Sequence, residues 1–163
     1  MKKRVIANLL IAKDGSTTFA GRSSGLSSPE DRRRFHILRS NAELILVGGN
    51  TARNEPYATT PCELVVLTHG QLPRQIATNP QARAIATSVE EFLRGASGEI
   101  LIEAGPSLLR EALAKKLVDE LFITVTERGG GENIVDLADL TKGYIESSRE
   151  VVGNEIFLQF TPM

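Results

Sequence analysis

Short apolar runs recur along this chain, separated by stretches whose apolar residues fall at helical spacing. Residues 4–12 (Arg-Val-Ile-Ala-Asn-Leu-Leu-Ile-Ala) read as a mostly buried first strand. Asp14-Gly15 then marks a turn, followed by a polar loop rich in Ser and Gly from Ser16 to Ser27. Ser28-Pro29-Glu30-Asp31 is a helix start. Ser28 can cap, Pro29 suits the first helical position, and the acids sit at the positive end of the helix dipole. This helix is predicted to run to about Asn41, with Phe35, Leu38 and Ala42 facing inward. Glu43 to Val47 predicts a second strand ending at Gly48-Gly49, Leu64 to Leu67 a third, and Arg83 to Thr87 a weaker fourth. Ser88-Val89-Glu90-Glu91 has the capping-box pattern and opens a short helix. Ile100 to Ile102 is a fifth strand. Gly105-Pro106-Ser107 opens a helix through about Leu117, with Leu108, Leu109, Ala112 and Leu113 on one face. Leu121 to Val125 is a sixth strand. Glu155 to Phe160 is a seventh, predicted antiparallel and near an edge.

Strands alternating with helices predict a single α/β domain: a mostly parallel sheet with helices on both faces. Ligands of such sheets bind beyond the carboxyl ends of the strands. That singles out four loops: Asp14-Gly15, Gly48 to Thr51, Thr68 to Gly70, and Glu103 to Ser107.

Composition narrows the class. No apolar run approaches a membrane span, and the basic start runs through a short apolar stretch into Lys13-Asp14-Gly15, which predicts a strand and no signal peptide. The one cysteine, Cys62, can form no internal disulfide and no Cys-based zinc site, as expected of a cytoplasmic protein. Two histidines without clustered carboxylates predict no catalytic metal. Residues 1–40 carry nine Lys/Arg against three Asp/Glu, and residues 85–163 carry seven against fourteen. The basic first quarter could face an anionic ligand or be a set of solvated faces. Nucleic acid is not expected as a partner, because the whole chain is not basic and has only eight aromatics.

Three constellations could carry chemistry. In Ile102-Glu103-Ala104-Gly105-Pro106-Ser107 a strand ends in a carboxylate, and a small-residue turn feeds a helix. Free N–H groups at that helix start would cradle a pyrophosphate, though an ordinary strand-to-helix turn has the same pattern. Val47-Gly48-Gly49-Asn50-Thr51 brings glycines and a hydroxyl to the sheet edge without a Gly-x-Gly-x-x-Gly fingerprint, and is equally compatible with a tight turn. Arg32, His36 and Arg39 share one helix face, which would suit phosphate or simply solvent; Arg33 and Arg34 are read as solvated.

The series of motifs resembles the pyrimidine reductases of riboflavin biosynthesis. Glu103-Ala104-Gly105-Pro106-Ser107-Leu108 followed by Leu117-Val118-Asp119-Glu120-Leu121 resembles that family's signature. Asp14-Gly15, Ser28-Pro29-Glu30-Asp31-Arg32 with Leu38-Arg39, and Ile45-Leu46-Val47-Gly48 with Thr51 and Asn54-Glu55-Pro56 follow in the family's order. The family has a dihydrofolate-reductase-like fold. The sequence departs from its pattern at Gly25, at the spacing of Asn54-Glu55-Pro56, in the short segment from Gly70 to Ile85, and at Thr126.

The resemblance implies NADPH-dependent reduction of a small phosphorylated pyrimidine, with hydride going to C1′ of an opened ribose. It implies that Thr51, Asn54, Gly105, Pro106, Ser107, Leu108 and Leu109 hold the dinucleotide, with Thr68 at the adenosine 2′-phosphate. It puts Ser23, Arg39 and Glu103 on the substrate side, with Arg39 and Arg32 near its phosphate, and Glu103 and Asp14 as the catalytic candidates. Asp14 shapes the mouth of the site, and Glu103 could supply a proton if burial raised its pKa. A homodimer is also implied. One cysteine cannot supply a zinc deaminase, so a stand-alone reductase is expected. A reductase of a pterin or other small molecule, and a dinucleotide-binding module without turnover, are the alternatives.

Overall fold

The structure, a computed structural model, describes residues 2–103 and 105–163. Along the chain run β1 (Arg4–Ala12), α1 (Pro29–Asn41), β2 (Leu44–Gly48), α2 (Gly49–Asn54), β3 (Glu63–Leu67), β4 (Ala82–Ile85) and α3 (Val89–Gly95). Then come β5 (Glu99–Ile102), α4 (Pro106–Ala114), β6 (Glu120–Thr126), α5 (Leu137–Leu140), β7 (Tyr144–Val152) and β8 (Glu155–Pro162). A single 3-10 turn lies at Ser23–Gly25. Among the described residues, no helix is long and apolar enough to cross a membrane.

All strands join one sheet in the order β4-β3-β2-β5-β1-β6-β8-β7. The first six of these run parallel, and β8 is antiparallel to both of its neighbours. The predicted α/β sheet with an antiparallel C-terminal strand is therefore present. Alternate residues divide between two faces. Val5, Ala7, Leu9 and Ile11 of β1, with Leu46, Val65 and Ile102, pack against Leu93 of α3 and Leu109, Ala112 and Leu113 of α4. Ile45, Val47, Leu64 and Val66 face the other way, toward Ala52, Tyr57 and Ile76.

The helix starts follow the sequence. Ser28 Oγ accepts from the Asp31 N–H at 3.0 Å, and Ser88 Oγ from the Glu91 N–H at 3.1 Å. Each is an N-cap satisfying a donor the helix cannot. The helix predicted to reach Leu117 stops at Ala114. Lys116 adopts a left-handed φ of 51°, its N–H bonds Leu113 O, and the Leu117 N–H returns to Ala112 O. This closing pattern satisfies the last carbonyls without a glycine.

Three further expectations are corrected. The C-terminal strand β8 lies next to the edge, as expected, but the edge itself is a further strand, β7, which the sequence pattern did not predict. All of β7 beyond Tyr144 is exposed, so it has no buried alternation to read; its register comes from the two-residue turn Gly153-Asn154. The stretch after β2 is the short helix α2, which starts at Gly49. Helix α1 has no fully buried residue, and Phe35, Leu38 and Ala42 are half-buried. Its seat is partly polar: Arg34, read as solvated, lies over the Phe157 ring at 3.7 Å.

Candidate active site

Strand β5 enters the sheet between β2 and β1, where the strand order turns back on itself. The carboxyl ends of the three strands meet there, which is where open α/β sheets form a crevice. Glu103 lies one residue beyond β5, and its N–H donates to Leu46 O at 3.0 Å. Its side chain is 3% exposed. Arg39 Nε donates to Oε2 at 2.7 Å and Arg39 Nη2 to Oε1 at 2.8 Å, the two parallel bonds of a guanidinium–carboxylate fork. Tyr57 Oη donates to Oε1 at 2.9 Å. The guanidinium also lies over the Phe35 ring at 4.7 Å and the Tyr57 ring at 5.5 Å. Burial opposes the Arg39 charge, but the Glu103 hydrogen bonds and charge outweigh it, and the pKa is raised. Burial, and then the Glu103 charge, push the Tyr57 hydroxyl well above its ordinary range, so it stays a donor. In this geometry Glu103 is an acceptor in all three bonds.

Beyond Glu103, Ala104 of the motif lies outside the described residues. The Gly105 N–H donates to Thr51 Oγ1 at 2.8 Å, tying the tip of β5 to α2. A Cβ on Gly105 would stand 3.1 Å from that hydroxyl, so the glycine keeps the approach open. Pro106 is the first residue of α4 and has no N–H. The N–H groups of Ser107 and Leu108, in the first turn, have no intrahelical acceptor and are suited to an anion. The Leu109 side chain is fully buried in the core, and its N–H bonds Gly105 O.

A second recess lies at the tips of β2 and β3. A Cβ on Gly49 would meet Thr68 Oγ1 at 3.1 Å and Arg53 Nη1 at 3.2 Å. Gly49, Arg53 and Thr68, with Gln71, Pro73 and Gln75, line a cleft of about 350 Å³ with no acidic side chain in its wall.

The other sequence candidates lie apart from Glu103. Asp14 Oδ1 accepts from Ser16 N at 3.0 Å and Ser16 Oγ at 2.7 Å, and Oδ2 from Gly130 N at 2.6 Å. These bonds, that from Gly130 first, hold its carboxyl down to about 2 and pin the turn after β1 to the loop after β6. Asn54 bonds Asn50 O from an exposed position on α2. The Ser23 N–H donates to Glu55 Oε1 at 2.7 Å, and no hydrogen bond joins Ser23 to Glu103. Arg32 and His36 are exposed, while Arg39 turns inward. The structure thus brings together Glu103 with Arg39, Gly105 with Thr51, and Gly49 with Thr68. Sequence reasoning missed Tyr57 and Arg53. Tyr57 is the one aromatic in the stretch from Gly48 to Pro61, which was a usable signal. The position of Arg53 over Gly49 is visible only in three dimensions.

Several solved structures share this fold. The chain aligns over 99% of its length with the diaminohydroxyphosphoribosylaminopyrimidine deaminase/5-amino-6-(5-phosphoribosylamino)uracil reductase of Thermotoga maritima, at 16% identity and a TM-score of 0.80. It spans 57% of that longer protein. A pyrimidine reductase-like protein of Corynebacterium diphtheriae aligns over 99% of this chain and 92% of its own, at 19% identity and a TM-score of 0.70. The dihydrofolate reductase of Enterococcus faecalis, complexed with NADP(H) and RAB-propyl, aligns over 98% of this chain and 96% of its own, at 18% identity and a TM-score of 0.74. The fold is thus dihydrofolate-reductase-like. No curated protein matches the sequence. The sequence itself matches the RibD C-terminal domain over residues 3–142, which takes in every element from β1 to α5, the Glu103–Arg39 pair and both recesses. The chain belongs to the RibD C-terminal domain family.

Proposed function

We propose that this chain is an NADPH-dependent reductase of a phosphoribosylamino-pyrimidine, of the 5-amino-6-(5-phosphoribosylamino)uracil reductase type. The observation that carries the reading is the adjacency of two unlike features at one sheet switch point: the small-residue turn at Gly105, tied to Thr51 and opening α4, and the buried carboxylate–guanidinium pair of Glu103 and Arg39. Family membership supports it, as do the named activity of the Thermotoga protein and the NADP(H) in the Enterococcus enzyme.

The residues fit a dinucleotide. Gly105 leaves room beside Thr51, and the N–H groups of Ser107 and Leu108 would hold the pyrophosphate. Arg53 and Thr68, in the recess without acidic groups, would take the adenosine 2′-phosphate. Asn54 would border this site from α2. The bound nicotinamide supplies hydride to C1′ of the opened ribose, and the protein aligns the two. Glu103, fixed by Arg39 and Tyr57, orients the substrate through its acceptor oxygens. Arg39 keeps Nη1 for the substrate phosphate, with Arg32 and Ser23 at the mouth. Asp14 acts as a positioning residue by holding the loop at Gly130. A cytoplasmic homodimer belongs to the same reading.

The test is NADPH consumption with the phosphoribosylamino-pyrimidine, followed by loss of reduced-nicotinamide absorbance. Turnover that falls in Glu103→Gln supports the reading. Tight NADPH binding without turnover of this substrate would reject it.

A further inference from the structure

Of the eight aromatic side chains, Phe19 alone is exposed, at 46%, and it belongs to neither apolar cluster of the core. A single exposed apolar residue is ordinary on a free loop. This loop is pinned. The Thr17 N–H donates to Glu132 O at 3.0 Å and the Glu132 N–H to Thr18 O at 2.8 Å, so the segment before Phe19 is laced to the loop after β6. Glu132 Oε2 accepts from Thr18 Oγ1 at 2.9 Å and from the Gly21 N–H at 3.2 Å. Phe19 and Arg22 exchange two backbone hydrogen bonds, of 2.8 and 3.2 Å, around the tip Ala20-Gly21. Both tip residues have positive φ, 52° and 82°, which for Ala20 is a strained conformation. Strain of this kind persists where the surrounding structure holds it, and it clusters at ligand sites.

Phe19 lies against Gly25. A Cβ on Gly25 would stand 2.9 Å from Phe19 Cβ and 3.3 Å from Cδ1, so any larger residue there would displace the Phe19 side chain. Gly25 O accepts from Arg128 Nη1 at 2.7 Å, which fixes the turn from its other side. That turn begins at Ser23, whose N–H donates to Glu55 at 2.7 Å. Glu55 belongs to the segment that also carries Tyr57, the donor to Glu103. The loop itself leaves the carboxyl end of β1, the strand beside β5. A fixed, exposed aromatic ring is therefore presented at the end of the sheet that carries Glu103.

We infer that Phe19 is a platform on which the pyrimidine ring of the substrate stacks. This rests on the reductase reading above and deepens it. Arg39 and Arg32 offer donors to a phosphate, and Glu103 offers acceptors, but none of them offers a flat apolar surface to the faces of a ring. Stacking on an aromatic side chain satisfies those faces and is indifferent to the pattern of ring amino and oxo groups. Phe19 thus contributes affinity for a planar ring, while the polar groups choose its orientation.

The test is calorimetric binding of two probes, a ribitylamino-pyrimidine phosphate and the ring-free ribitol phosphate, to the wild type, Phe19→Leu and Phe19→Tyr. The inference predicts that Phe19→Leu binds the ribitylamino-pyrimidine phosphate at least about five-fold more weakly. Phe19→Tyr, which keeps the ring, should match the wild type, and ribitol phosphate should bind all three proteins alike. Because the side chain is exposed, the variants should unfold at the wild-type temperature. The chain has no tryptophan, so Phe19→Trp carries a single indole. Its emission should be quenched saturably by sugar-free diaminouracil and left unchanged by ribitol phosphate. Wild-type affinity for the ribitylamino-pyrimidine phosphate in Phe19→Leu would overturn the platform while leaving the reductase reading intact. So would an equal loss with ribitol phosphate, since the contact would then not be with the ring. A wild-type protein that binds neither probe would overturn both.

Discussion

Arg39 on α1 and Glu103 beyond β5 meet through two hydrogen bonds of 2.7 and 2.8 Å, so the helix and the strand tip share one buried charge pair. Removing one partner of a buried pair leaves the other uncompensated, at a cost of roughly 3–5 kcal/mol. Arg39→Leu should lower unfolding stability by an amount in that range. The double variant Arg39→Leu/Glu103→Leu should lose clearly less than the sum of its parts. Urea unfolding of the four proteins measures both. Additive losses would show that the pair is not coupled.

Tyr57→Phe deletes the third bond to Glu103 while keeping the buried ring. A hydrogen bond to a charged group contributes about 1.5–3 kcal/mol. The variant should lose stability in that range, and its substrate affinity should fall because Glu103 is less firmly oriented. Equal stability would mean that the Tyr57 hydroxyl is idle.

Asp14 gives the acid-side prediction. Its carboxyl is held down to about 2 by the Gly130 N–H and by Ser16. A folded value below the unfolded one stabilises the protein above the unfolded pKa, and the contribution disappears as pH falls through the folded pKa. Wild-type stability should therefore fall more steeply than that of Asp14→Asn between about pH 4 and about pH 2. Parallel curves from urea unfolding at each pH would contradict this.

The sequence made the parallel strands legible because each is a short apolar run ended by glycine or a polar residue, as at Val47-Gly48 and Ile102-Glu103. Helix starts were legible at Ser28 and Ser88 for local reasons, since capping depends on residues three apart. Edge strand β7 was not, because an exposed edge has no buried face to impose alternation. The Gly153-Asn154 turn was the available clue. At the site, the motif at Glu103 and Gly105 could be read directly. The partners of Glu103 could not, because Arg39 and Tyr57 reach it from 64 and 46 residues away.

Gly105 should tolerate little growth. A Cβ there would crowd Thr51 Oγ1 at 3.1 Å. Gly105→Ala should fold, yet bind NADPH about ten-fold more weakly because the cradle narrows. Unchanged affinity, read by fluorescence titration, would move the pyrophosphate away from this turn.

The cofactor assignment is tested most directly by titrating NADPH and NADH into the wild-type protein and into Arg53→Ala by calorimetry. The account predicts that the wild type binds NADPH at least about ten-fold more tightly than NADH. It also predicts that Arg53→Ala loses most of that preference by weakening NADPH alone. No binding of either dinucleotide to the wild type would contradict the account at its centre. Equal affinities would retain a dinucleotide site but contradict the reading of Arg53 and Thr68.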